Sequence, residues 1–231
     1  MQTEKIIDNC RDCKNTSNCF QHLFPHELDF ISSKKKQLIY NQNESLFKQG
    51  AFSPYVLFIV DGLIKSHLQT GNNKRVNVKI SKTGDFLGFS SVFGDACYSY
   101  SAIALKDSVV CMIDRQALYE LMKNNSEFGL KIVSRNCRDE KRLLEIITDL
   151  NYKQMRGKLA SALLYLSSDD FIDYAVFQYL TRQDIADFAS ISTESAIRFL
   201  KEFEKEGIVN MSGKCVHITD SQRLFEIAEK G

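Results

Sequence analysis

Hydrophobic and polar positions along the chain change their period twice. Between residues 39 and 114, β-branched and aromatic residues gather in short runs broken by glycine and asparagine. The stretch YVLFIVDGLIKSHLQTGNNKRVNVKI predicts a strand, a turn at Asp61–Gly62, a strand, a turn at Gly71–Asn72–Asn73 and a third strand. TGDFLGFSSVFG follows as a glycine-punctuated loop or short helix, and SAIALKDSVVCMI returns to strand. Short strands at this spacing suggest a compact β-roll or barrel.

From Arg115 the period lengthens to that of a helix. RQALYELMKNN predicts a short helix, and a long helical pattern covers 127–156, without proline and without glycine after Gly129. Val133, Leu143, Ile147 and Leu150 form an apolar stripe at helical spacing, with Asn136 and Glu140 in the same seam. A stripe of that length usually needs a partner helix; a second copy of the chain is the expected one, and packing against its own domain is the alternative. Glu140 is expected as a buried or half-buried carboxylate that weakens the seam. The rest of the chain is expected to be helical as far as Gly207, after which GIVNMSGKCVHIT reads as a hairpin turning at Ser212–Gly213.

LTRQDIADFASISTESAIRFLKEFEKEG is the most specific pattern in the chain. Thr181 or Asp184 can open one helix, whose inner side is Ile185, Ala186, Phe188 and Ala189. A break follows at Ser190–Ile191–Ser192. Ser192 or Thr193 can then cap a second helix, Glu194 to Lys205, ending at Gly207, with Ala196 and Phe199 facing inward. This is a helix-turn-helix with a hairpin wing behind it. Glu194 and Arg198, four apart, share one face of the second helix. Arginine can donate twice to guanine and glutamate can accept from cytosine; the competing interpretation is a surface ion pair between the two.

Composition narrows the function classes. The 44% hydrophobic and 26% charged content is ordinary for a folded soluble protein. No run of 18 uncharged apolar residues occurs, and MQTEKIIDNC lacks a secretory pattern, so a cytoplasmic location with no membrane partner is expected. A net charge of +1 neither demands nor excludes DNA, so that expectation rests on the local motif. No phosphate-cradling glycine loop, HExxH or Ser/His/Asp context occurs, so an enzyme is not expected. Seven cysteines are present, three of them in CRDCKNTSNC. In a reducing compartment, clustered thiols suggest metal or redox chemistry rather than disulfides.

Together CRDCKNTSNC, LFKQG, GLIKS, GDFLGF, SVVCMI and TRQDIADFASISTESAIRFL resemble the CRP/FNR family of bacterial transcription regulators, over essentially the whole length. The likeness is greatest to the oxygen-responsive iron–sulfur branch. It implies an α+β chain: a cysteine-rich segment at 1–24, a cyclic-nucleotide-binding-like β-roll at 25–125, a dimerisation helix at 126–152 and a winged helix-turn-helix at 153–231. The implied ligands of a [4Fe-4S] cluster are Cys10, Cys13, Cys19 and Cys111, with Cys97 the nearest substitute for Cys111. Zinc on the same thiols, or no metal, are the alternatives. Cys137 and Cys215 are expected as packing or surface residues, and His22 and His26 as surface residues. Cluster loss in oxygen, or attack by nitric oxide, would weaken the dimer.

By the same resemblance Glu194 and Arg198 read palindromic double-stranded DNA, with Thr193, Ile197 and Arg182 beside them, and RNA polymerase is a partner. A serine that relatives carry before the arginine is Ile197 here, which puts the outer bases of the site in doubt. Relatives also use an acidic residue to oppose dimerisation; Leu143 stands at its position, and Glu140, one turn earlier, is the candidate for that role. The cyclic-nucleotide branch uses Arg-Ser where this chain has Tyr98–Ser99, so a cyclic nucleotide is not expected. The competing function is a regulator of the same build answering haem, nitric oxide, a small molecule or thiol redox, with cysteines that hold no cluster.

Overall fold

The computed structural model describes residues 10–13, 20–71 and 74–231. The chain falls into two compact units: one joins the described residues up to Leu68 with Lys79–Glu140, and the other joins Gln69–Val78 with Lys141–Gly231.

A helix, α1 (Pro25–Ser33), precedes eight strands: β1 (Lys35–Tyr40), β2 (Ser45–Phe47), β3 (Tyr55–Asp61), β4 (Leu63–Thr70), β5 (Lys74–Lys82), β6 (Phe86–Leu87), β7 (Ser101–Ala104) and β8 (Ser108–Asp114); β4 and β5 run partly into the Gln69–Val78 segment. The eight strands form two four-stranded sheets, ordered β1-β8-β3-β6 and β2-β7-β4-β5. The run YVLFIV is apolar at every position because both faces of β3 are covered. Val56, Phe58 and Val60 face a core closed by helices, while Leu57 and Ile59 face Phe47, Ile64 and Tyr98 of the other core. SAIALKDSVVCMI is not one strand but two, β7 and β8, separated by Leu105–Asp107. The predicted turn at Asp61–Gly62 holds: Gly62 has φ +144°, and a Cβ there would lie 2.2 Å from the Ser108 hydroxyl oxygen. Of the predicted Gly71–Asn72–Asn73 turn, Asn72 and Asn73 lie outside the described residues.

Two helices follow, α2 (Arg115–Asn124) and the long α3 (Ser126–Tyr152). Asp114 caps α2 by accepting from the Ala117 N–H. The helical pattern read as far as 156 breaks earlier: Gln154 is extended, caps the next helix, and donates its N–H to the Gly231 carbonyl.

The second unit carries α4 (Met155–Leu166), α5 (Arg182–Ala189), α6 (Thr193–Lys205), strands β9 (Val209–Ser212) and β10 (Cys215–Ile218), and α7 (Ser221–Lys230). The hairpin turns at Gly213–Lys214, one residue later than expected, with Gly213 at φ +59°. The closing helix α7 was not foreseen; it buries Leu224 and Ala228. No helix among the described residues is long and apolar enough to cross a membrane.

Candidate thiol site and nucleic-acid interface

Cys10–Asp12 form a single 3-10 turn, tied at its back to α1. The Cys10 N–H donates to the Ser32 hydroxyl at 2.8 Å, which in turn donates to the Leu28 carbonyl. Arg11 pairs with Asp29 and reaches the Pro25 carbonyl. That ion pair is about half exposed and adds little energy.

Cys111 comes from the middle of β8, between Gln37 of β1 and Phe58 of β3. Its side chain is buried, and with Cys10 and Cys13 it lines one cavity of about 20 Å³, closed by Phe20, Lys35, Phe58 and Ile113. That is room for about one water molecule. Cys97 is exposed, outside this cavity, paired through an isolated bridge to Phe52. Cys19 lies outside the described residues. Cys137 is exposed and Cys215 half-buried, while His22 is half-buried against Glu127 rather than free at the surface.

Burial pushes the Cys111 thiol up to about 11; the Lys35 ammonium, 3.9 Å from its sulfur, pulls the other way, and charge on Cys10 or Cys13 adds to the rise. Cys111 is therefore a neutral thiol until a cation displaces its proton. Soft thiol donors in an apolar wall are the ligand chemistry of iron–sulfur groups and of zinc. Among the described residues no three His, Cys, Asp or Glu side chains stand as a ready metal-holding group. The donor set fits such a cluster, while the cavity as it stands has room for about one water molecule.

The segment that follows Cys19 is bound to the start of α3. Phe20 packs on Phe58, Phe86 and Phe128 with ring centroids 5.0, 5.5 and 5.9 Å away. Asn125 accepts from the Phe128 N–H at 2.9 Å, capping α3, and its amide donates to the Glu27 carboxylate at 2.9 Å and the His22 carbonyl at 3.3 Å. Glu27 also accepts from the Phe24 N–H. No periodic pattern marks this hub, because its members come from three separate segments.

Along α3 the expected seam is open to solvent in the single chain. Val133, Leu143, Ile147 and Leu150 are exposed, as are Leu130 and Leu144, which the sequence reading left out. Asn136 and Glu140 are exposed too, so the buried or half-buried state expected of Glu140 does not exist within one chain.

In the helix-turn-helix, Thr181 and Asp184 form a reciprocal capping box that opens α5. Ser190 takes a left-handed conformation, the Ile191 N–H returns to the Ala186 carbonyl, and Ser192 caps α6 through the Ser195 N–H. Ile185, Ala186, Phe188, Ala189 and Ala196 are buried as expected. Phe199 is only half-buried: its ring lies 4.6 Å beneath the Arg198 guanidinium. Arg198 approaches Glu202 at 4.0 Å, so its nearest carboxylate is one turn ahead rather than Glu194 one turn behind. Glu194 is fully exposed, and its own backbone N–H and the Ser192 hydroxyl hold its carboxyl below the ordinary value. The Thr193 hydroxyl donates to the Gln183 side-chain oxygen, and Gln183 donates to Asp187 at 2.6 Å. Ile197 remains exposed beside them. The guanidinium of Arg182, expected among the DNA-binding residues, donates to the Gly213 carbonyl at 3.0 Å and the Lys214 carbonyl at 3.2 Å in the wing.

Two family models match. One, described as a cyclic nucleotide-binding domain, covers residues 37–125, and the other, a Crp-like helix-turn-helix domain, covers 157–227. The fumarate and nitrate reduction regulatory protein of Vibrio cholerae is 28% identical over 228 residues, spanning 95% of this chain and 90% of that protein. Its namesake in Escherichia coli K12 is 26% identical over 231 residues, with the same coverage. Among solved structures, FixK2 from Bradyrhizobium japonicum superposes with a TM-score of 0.73 at 19% identity, covering 84% of this chain and 96% of that one.

Proposed function

The chain belongs to the CRP/FNR family of transcription regulators, and from that premise we propose that it is a homodimer gated by an oxygen-labile iron–sulfur cluster. One observation carries the proposal: thiols 101 and 98 residues apart in sequence, Cys10 and Cys13 against Cys111, line the same apolar cavity. Cys19, six residues beyond Cys13, supplies the fourth sulfur in this reading. When bound, the cluster supplies an oxygen-reactive centre whose loss unties the tail.

The chain's own residues do the rest. Cys111 fixes the site to the central strand pair β3–β8, and the 10–13 turn is the movable half. Phe20 and the Asn125 hub connect the tail to the first turn of α3. The exposed apolar stripe of α3 receives the same stripe of a second copy, with Asn136 and Glu140 keeping that contact weak enough to be switched. Two α6 helices then enter successive major grooves of a palindromic site, where Glu194 and Arg198 meet base edges and Ile197 offers a methyl contact. A contact with RNA polymerase completes the reading.

The regulator that answers another effector predicts different metal content, so the test is direct. After anaerobic loading with ferrous iron and sulfide, the parent and the Cys97→Ala variant should hold iron alike, while Cys111→Ala should not. If Cys111→Ala loads iron normally, or if all three take up only zinc, the proposed ligand set is wrong.

A further inference from the structure

The cysteine cavity is apolar except for its sulfurs and one cation. Among the described residues that line it, Lys35 is the one charged side chain. Its position follows from the register of the sheet. Lys35 stands opposite Ile113, and Gln37 opposite Cys111, in the antiparallel β1–β8 pair. Ile113 and Cys111 are two apart and so share a face, which makes Lys35 the diagonal neighbour of Cys111 on that face. A long side chain spans that diagonal, and the Lys35 ammonium sits 3.9 Å from the Cys111 sulfur. Lys34 and Lys36, on either side, are exposed. Of three consecutive lysines, the middle one turns inward.

Four thiolates carry more negative charge than the iron–sulfide core they hold neutralises, and an apolar wall screens that excess poorly. We infer that Lys35 is the charge partner of this site: its ammonium offsets the negative charge gathered by the thiolates and so sets how readily an electron leaves the site for dioxygen. The inference rests on the cluster reading above and adds to it a residue that acts through charge rather than ligation. A neutral residue at position 35 leaves the site more electron-rich, so transfer of one electron to oxygen becomes easier. Position 35 thus tunes the oxygen threshold without touching the ligand set.

The test compares Lys35→Met, Lys35→Gln, Lys35→Arg and, as a surface control, Lys36→Met. Each is loaded anaerobically with ferrous iron and sulfide. Iron per chain, reduction potential and bleaching rate at a fixed oxygen concentration are then measured. The Met and Gln variants should bleach about tenfold faster than the parent, with a lower potential, on the scale a unit charge imposes at this range under partial screening. Lys35→Arg and Lys36→Met should follow the parent. Neutral variants that fold but lose iron, with arginine restoring it, support the same role. Unchanged bleaching and potential in the neutral variants overturn the inference, as does an arginine variant that behaves like methionine. A parent that takes up no iron defeats the cluster reading itself, and the inference falls with it; iron content separates the two failures.

Discussion

Replacing Asn125 by alanine tests the link between the cysteine segment and the long helix. The side chain is buried and makes three contacts: it caps α3 at Phe128 N–H, and it donates to Glu27 and to the His22 carbonyl. Loss of an N-cap costs about 1 kcal/mol. Loss of a donor to a buried carboxylate costs about 2 kcal/mol more, because Glu27 keeps the Phe24 N–H but loses the amide. Alanine should therefore destabilise the first unit by about 3 kcal/mol, a large share of the 5–15 kcal/mol typical of a domain. Asn125→Ser retains a capping oxygen and should lose only about 2 kcal/mol. Asn125→Asp keeps the cap but sets a second carboxylate against Glu27, so it should be the least stable of the three near neutrality. Urea unfolding of the metal-free chains, at unchanged slope, measures the series. An alanine variant within about 0.5 kcal/mol of the parent would refute the hub, since ordinary surface substitutions reach that size.

Gly62→Ala combines a disfavoured φ of +144° with a Cβ placed 2.2 Å from the Ser108 hydroxyl, so it should cost about 2–4 kcal/mol or block folding, measured by thermal melting; a neutral effect would contradict the tight β3–β4 turn. Burial pushes the Tyr100 phenol up from 10.0 to about 12, its oxygen accepting from the Gly88 N–H. The folded value exceeds the unfolded one, so this group's stabilisation is complete below pH 10.0 and is lost as the pH rises through about 12. Burial also raises Tyr40 and Tyr98, so ultraviolet titration should find a late-ionising set of phenols, and Tyr100→Phe should remove the component that ionises near pH 12. Arg198→Ala should lower discrimination between the operator and a single-base variant by about 1–3 kcal/mol with the fold intact, read by competition binding; equal discrimination would remove Arg198 from base reading. Arg182→Ala should instead loosen the wing, weakening binding to matched and mismatched duplexes by similar factors; a loss confined to the matched site would make Arg182 a base reader.

The helix-turn-helix was legible because its signals are local. Capping residues at 181 and 192, small residues where helices cross, and Gly207 as a stop all act within one or two turns. The strands β3 and β4 were legible for the same reason, through the glycine turn at Asp61–Gly62. Pairings between distant segments were not. Nothing in the residues around 35 marks the middle lysine of three as inward-facing; only the β1–β8 register decides it. Nor does anything near Arg182 mark its link to the wing, because the carbonyls that engage it belong to a turn 31 and 32 residues away. The α3 stripe shows the opposite balance: the pattern announced an unpartnered face, and the exposure of Leu130 and Leu144 widens it. Phe199 was read as interior because the helical period places it near Ala196, yet it serves as a platform for Arg198.

Native mass spectrometry of the chain purified without oxygen, repeated after exposure to air, tests the central claim most directly. The account predicts a dimer carrying about four irons and four sulfides per chain, which in air loses that load and shifts toward monomer. A dimer that carries no iron and no sulfide, and persists unchanged in air, would contradict it.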